Sequence, residues 1–361
     1  MADALLSPAV GATFWAGTLG AIAYCSKKLK ENPDEKLIPL MGVLGAFIFA
    51  AQMINFTIPG TGSSGHLGGG MILAIILGPY AAFIVMASVL TVQAFFFADG
   101  GLLALGCNIW NLGIYPCFIA YPLIYKPLVR AGSTPKRIVI ASVISAVIGL
   151  QLGAFSVVLE TVLSGRSELP FSTFVMVMQP VHLVIGMVEG VVTAGVINFV
   201  RAERPEILDN VTTARKLTAD ISIRKVFAGL MVAALLTGGA LSWFASSNPD
   251  GLEWSIEKVF GKPELPEQER GIAPAFKKLQ EKTAFLPDYN FKAGENKAGG
   301  QGYGKGSGSD EKTLPPAKTG TSVSGILGSA MVISLILLIG IGLRLVRKNK
   351  TAQKTTGNDI R

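Results

Sequence analysis

Residues 66–97 read HLGGGMILAIILGPYAAFIVMASVLTVQAFFF, and how this stretch crosses the membrane decides the fold. From Gly68 onward it is apolar for about 30 residues, well beyond the roughly 20 that a helix needs to cross a bilayer core. Gly78-Pro79 interrupts it. Read alone, the stretch is either one long tilted helix or a hairpin of two short helices broken near that dipeptide. The charges on its flanks choose between them.

Outward from this stretch, apolar runs cover 8–26, 38–57, 103–125, 138–163, 173–199, 225–247 and 323–345. Half of the 361 residues are apolar and 16% are charged, with a mean hydropathy of +0.48. Soluble chains carry about 25% charged residues, so an ordinary soluble domain is excluded. The net charge of +8 marks membrane sidedness rather than nucleic acid. Cys25, Cys107 and Cys117 lie in or beside apolar segments without paired spacing, which predicts buried thiols.

The segments 25–37, 126–137, 200–225 and 344–361 hold 20 of the 32 Lys and Arg but only 8 of the 24 acids. Positive charge concentrates on the cytoplasmic side, so all four are expected inside. If 25–37 is inside, the loop 58–67 is outside. The basic loop 126–137 returns inside through 103–125, so 68–97 must enter and come back out. The hairpin is therefore expected, its first helix too short for a full span. Broken helices are tolerated where protein or a water-filled cavity covers the loose backbone, and in transporters they border substrate sites. The N-terminus is expected to be extracytoplasmic and the C-terminus cytoplasmic. Lys27 and Lys28 follow the first apolar run, so no cleavable signal peptide is expected.

The fold class is all-α, a polytopic membrane bundle of about seven helices with a C-terminal pair of spans. The expected division is a membrane domain over 1–205, a cytoplasmic linker over 206–224 and a two-span domain over 225–347. Within the last, 248–322 forms an external loop, and 348–361 is a basic cytoplasmic tail. Helix character is expected around Ala273–Lys282, and low-complexity linker follows Phe291. Gly299 to Lys305 has the form G-x-x-x-x-G-K, but Gly306 replaces the Ser or Thr of a P-loop and no strand precedes it. ATP-driven work then needs a separate ATPase subunit.

The richest polar spot is Pro59-Gly-Thr-Gly-Ser-Ser-Gly-His-Leu-Gly-Gly-Gly70. Dense glycine allows close approach to a ligand or another chain segment. His66, one of two histidines, is either a metal ligand or the solvent-facing residue of a tight turn. Ser63, Ser64 and His66 lack an evident third member for nucleophilic catalysis. His182 and Glu189, two helical turns apart in the span, share a face with Gln179 and Gly186. They form either a metal pathway or pH-sensitive gate, or a satisfied polar cluster that fixes packing, the reading the sequence favours. Gln52, Asn55, Asn108 and Asn111 are candidate partners. Glu160 is expected at the outer interface, and Asp99 as a turn former or helix N-cap. Ala12, Ala16 and Gly20 make a small-residue stripe on the first span, suited to helix contact or to docking another subunit.

With these residues in hand, five ordered motifs stand out: AQMINF from Ala51, IPGTGSSGHLGGG, LGPYAAF, FFADGGLLALGCNIWNLG and VHLVIGMVEGVVTAG. Together they resemble the CbiM/NikM family, the cobalt- and nickel-specific substrate-binding subunits of energy-coupling-factor (ECF) transporters, over about residues 1–200. Asn248-Pro-Asp-Gly-Leu-Glu253 resembles the PDGLE signature of the small CbiN/NikN-like accessory subunit, so the chain looks like a fusion of the two. The resemblance implies a metal site built from a Met-His N-terminus that inserts into the bundle from outside, together with a histidine of the Gly-rich loop. That histidine carries over to His66. An amine, a deprotonated amide and two imidazoles give a planar four-nitrogen set suited to Ni(II), Co(II) or Cu(II). The family opening Met-His-x-x-Asp-Gly-x-Leu-Ser-Pro aligns with Asp3 to Pro8 only if Met1 is its third residue, so a start two residues upstream is expected. As the sequence stands, Met1 offers an amine and Asp3 a carboxylate.

The functional expectation is a substrate-specific transporter subunit that binds Co(II) or Ni(II) outside. It would be driven by cytoplasmic ATPase (A) subunits and a membrane scaffold (T) subunit in the cell's inner, cytoplasmic membrane. No permanent cofactor, enzymatic activity or nucleic-acid partner is expected. The metal would serve cobalamin biosynthesis or nickel enzymes. A stand-alone channel or ion-coupled carrier using His182 and Glu189 is the alternative, and a membrane hydrolase using Ser64 and His66 is a distant third.

Overall fold

The computed structural model describes residues 1–31, 34, 36–129, 133–166, 170–213, 223–262, 271–291 and 319–358. The G-x-x-x-x-G-K stretch and most of the low-complexity linker lie outside them. The protein is a helical membrane bundle. Four described helices are long and apolar enough to cross a membrane: α4 (Pro79–Phe97), α7 (Pro135–Ser164), α8 (Phe171–Glu203) and α13 (Thr319–Asn358), the last over Gly320–Leu345. The remaining bundle helices are α1 (Pro8–Glu31), α2 (Leu37–Gln52), α3 (Gly70–Leu77), α5 (Leu105–Ile109), α6 (Lys126–Leu128), α9 (Pro205–Thr213) and α10 (Arg224–Gly239).

α2 is apolar all round, and every residue from Leu40 to Gln52 is buried. Such a helix belongs inside a bundle. It ends at Gln52, earlier than the apolar run suggests, because the chain turns there into a short antiparallel hairpin, β1 (Phe56–Ile58) and β2 (Ser63–Gly65). The 68–97 stretch is broken as expected. Gly78, at φ 76° and ψ 164°, separates α3 from α4, and Pro79 starts α4 where its missing N–H costs nothing.

Between α5 and α6 the chain runs as a π-helix over Trp110–Tyr125 containing Pro116 and Pro122. Proline cannot donate into a helical ladder, and the irregular hydrogen bonding is covered by neighbouring helices. α7 and α8 form a long hairpin whose seam is set by small residues. A Cβ added at Gly186 or Gly190 would stand 2.8 or 2.4 Å from the Cα of Val147 or Val143, close small-residue packing of the kind lipid favours. Ile140, Ile144, Ile148, Phe155 and Leu159 leave an exposed apolar stripe on the outer face of α7, as expected beside lipid.

The C-terminal pair is part of the same core. Val332 and Ile336 of α13 are buried against Gly45 of α2, and Ser329 Oγ donates to the Ala46 carbonyl at 3.1 Å. Gly238 of α10 meets Gly325 of α13 backbone to backbone. The stripe Ala12, Ala16, Gly20 takes no part in such packing and is exposed. α1 seats its other face, with Thr18 Oγ1 donating to the Gly106 carbonyl at 2.8 Å and Trp15 Nε1 to that of Leu102 at 3.0 Å.

Between the C-terminal helices lie α11 (Gly251–Phe260) and α12 (Ala273–Thr283), the latter where helix character was expected.

Candidate metal site

The Gly-rich loop folds into the bundle. Ser63, Ser64, Gly65 and Gly68–Gly70 are buried and His66 is half-buried. Within it, Gly68 and Gly69 reach Glu189, which lies 14 residues, or about 20 Å of helix, from the C-terminal end of α8. Non-helical backbone at such depth is tolerated because protein encloses it.

His66 Nδ1 lies 3.2 Å from the Leu67 carbonyl. A carbonyl only accepts, so in the neutral ring this bond puts the proton on Nδ1 and the lone pair on Nε2. His66 lies within electrostatic range of both His182 and Glu189. His182 Nδ1 bonds the Met178 carbonyl at 2.8 Å, and Glu189 accepts from Gly68 and Gly69. The two share a helix face but bond to different main-chain groups. Of their expected partners, Gln52 instead bonds the Gly68 carbonyl, Asn111 bonds Glu160 and Asn108 bonds the Met1 carbonyl. A cavity of about 10 Å³, room for roughly one water, is bordered by Gly68, Gly70, Asn111, Pro116 and Glu189.

The N-terminal segment inserts between α5, α7 and α11. The Met1 carbonyl accepts from Gly101 N–H at 3.1 Å, and Asp3 Oδ1 from Ala104 N–H at 2.9 Å. Met1 touches the apolar cluster that contains Met178, whose carbonyl holds His182. Asp3 is thus an anchor of the 101–104 turn. Burial raises its carboxyl above the usual range against the pull of those backbone bonds.

Glu160, near the C-terminal end of α7, is enclosed by protein. It is 1% exposed and accepts from Asn111 Nδ2 and Ser156 Oγ, each at 3.0 Å, within electrostatic range of the Met1 amine. Its carboxylate is enclosed because the π-helix packs on α7 at that level and Asn111 reaches it, a contact that apolar periodicity does not encode. Asp99 lies in the turn that follows α4, one of its two expected places, and its carboxylate accepts from the Tyr289 hydroxyl.

The PDGLE stretch covers the loop, a contact with no signal in either segment alone. Ser64 N–H donates to the Pro249 carbonyl and Ser64 Oγ to that of Asn248, both at 2.8 Å. The Ser64 hydroxyl is therefore committed to main chain. Trp254 Nε1 donates to the Thr61 carbonyl at 3.0 Å. Asp250 and Glu253 form a capping box on α11. A Cβ at Gly251 would stand 2.9 Å from Val181 Cγ1 and 3.1 Å from His182 Cε1, which explains the glycine. Leu252 joins Met1, Ala4 and Leu5 in one apolar cluster. α11 therefore touches both the loop and the N-terminal segment. From α12, Gln280 Nε2 donates to the Ala94 and Gly100 carbonyls at 2.8 and 2.7 Å, bracing the turn that receives Met1.

Among the described residues no group of three or more His, Cys, Asp or Glu could hold a metal ion. The three cysteines are buried and free.

These features define a polytopic helical membrane protein with a buried, imidazole-bearing loop roofed by its own accessory helix. Residues 1–207 match the family described as CbiM, cobalt uptake substrate-specific transmembrane region, and residues 224–345 match the PDGLE domain. The chain belongs to the CbiM family and carries a fused PDGLE domain. It is 31% identical over 352 residues to a putative fused nickel transport protein NikMN of Archaeoglobus fulgidus, covering 97% of this chain and 99% of that one. A cobalt transport protein CbiM of Sorangium cellulosum is 29% identical over 199 residues, 54% of this chain and 87% of the relative. The crystal structure of a truncated transition metal transporter superposes with a TM-score of 0.50 at 30% identity, over 56% of this chain and 98% of that one.

Proposed function

We propose that the chain is the substrate-specific membrane component of an ECF-type transporter for Co(II) or Ni(II). It would bind the ion from the extracytoplasmic side of the cytoplasmic membrane and deliver it inward with ATP hydrolysed by partner A subunits. A T-subunit scaffold would dock on the exposed stripe Ala12, Ala16, Gly20. The N-terminus is then extracytoplasmic and the C-terminus cytoplasmic. In this reading the chain is not an enzyme, and the metal is its cargo.

The observation that carries the proposal is His66, half-buried on a loop that the 248–254 stretch roofs, a stretch that also packs on the N-terminal segment. Imidazole joined to amine and amide nitrogens suits late first-row metals. The relatives named for nickel and cobalt transport support the same substrate class. His182 and Glu189 each bond main chain, which supports packing and positioning roles rather than a coupling pair.

Bound metal is to be measured by elemental mass spectrometry in the chain as given, preceded by Met-His, and preceded by Met-His with His66→Ala. Near-stoichiometric Co(II) or Ni(II) only in the extended, His66-intact form is expected. Equal or absent metal in all three would overturn the site. In vesicles with the A and T subunits, uptake should require ATP; uptake without them would favour the carrier.

A further inference from the structure

Glu189 is 2% exposed in the interior of the bundle, where a carboxylate needs compensation. Two successive main-chain donors supply it. Oε2 accepts from Gly68 N–H at 2.7 Å and Oε1 from Gly69 N–H at 3.2 Å. Gln52, at the end of α2, grips the other side of the same residue, its Nε2 donating to the Gly68 carbonyl at 2.8 Å. Both polar groups of Gly68 are therefore held by side chains from two helices distant in sequence, two residues beyond His66.

The loop is also closed in sterically. Gly69 has φ 77°, a conformation that favours glycine, and a Cβ at Gly70 would stand 2.4 Å from Pro116 Cγ and 2.7 Å from the Leu112 carbonyl. Gly69 is the N-cap of α3 and has no side chain to cap with, so the Glu189 carboxylate serves that helix end from across the bundle. We infer that Glu189, with Gln52 as its counterpart, is the positioning residue for His66. Their clamp on Gly68–Gly69 fixes where the imidazole is presented and so sets metal affinity. This rests on the metal-site reading above. The group acts through the loop, because its oxygens face Gly68 and Gly69.

The test uses the full chain preceded by Met-His, with Glu189→Gln and Gln52→Met, Co(II) alone as the affinity probe and Cu(II) as a spectroscopic one. Glu189→Gln replaces one acceptor with an NH2 that opposes a backbone donor. Hydrogen exchange at Gly68 and Gly69 should accelerate, and Co(II) affinity should fall about 10- to 100-fold, as for groups that orient metal ligands. The visible band of bound Cu(II) should shift while helix content is retained, which a purely structural role would not produce. Gln52→Met should show the same changes more weakly, and it carries the test should Glu189→Gln not fold. Wild-type affinity in both variants, or a loss that only tracks the folded fraction, overturns the proposal. Unchanged exchange at Gly68 and Gly69 in Glu189→Gln overturns the clamp itself. Absence of Co(II) from the parent chain instead sinks the metal-site reading, and its coupling to affinity with it.

Discussion

Asp3 and Ser64 show how polar residues near the site are occupied by main chain. Asp3→Ala would leave the Ala104 N–H unpaired and should cost about 1–3 kcal/mol in thermal unfolding, whereas Asp3→Asn keeps an acceptor and should cost less. An acid whose carboxyl is raised by burial favours the fold most when protonated. Its contribution is complete below its ordinary value of 3.8 and is lost as pH climbs through the raised one. Stability compared between the parent and Asp3→Asn should therefore diverge only over that window and above it. Ser64 should resist a serine-reactive probe, because its hydroxyl already donates to Asn248.

At the scale of elements, α11 and the Gly-rich loop behave as one unit. Gly251→Val would drive a side chain into Val181 and His182, overpacking that costs about 1–3 kcal/mol. Amide exchange at Ser64, whose N–H is bonded to Pro249, should accelerate in that variant while α2 stays protected. Asp250→Ala removes the cap of α11 and should cost about 1 kcal/mol with a weaker effect on the same amide. Unchanged exchange in both would show that α11 does not hold the loop.

Across the whole molecule, the C-terminal pair is held by the core rather than by the chain that links it. Gly328 packs so close to Phe49 that a Cβ would stand 2.0 Å from its ring, and Val332 and Ile336 are fully or nearly fully buried. A protease site inserted after Gly306 should yield two fragments that co-purify in detergent. Gly328→Leu in the cleaved chain should let them part. Separation of the cleaved parent would contradict the packing of α13 on α2.

The sequence by itself determined the membrane class, the broken 68–97 hairpin and the family, because these rest on local signals. Apolar run length, the Gly78-Pro79 break and motif order are all written in contiguous residues. Only the tertiary structure decided what those residues touch. The glycines of 68–70 could serve a ligand or another chain segment, and the fold gives them Glu189, Ile48 and Pro116. Glu160 reads as interfacial from its place along a span, and the fold encloses it against the π-helix, where Asn111 reaches it. The roof of Asn248 to Trp254 over Ser64 and Thr61 spans nearly 200 positions, a pairing that neither periodicity nor spacing can express. A buried polar group is satisfied by whatever donor the packing brings near, and that is a property of the folded arrangement rather than of the residue.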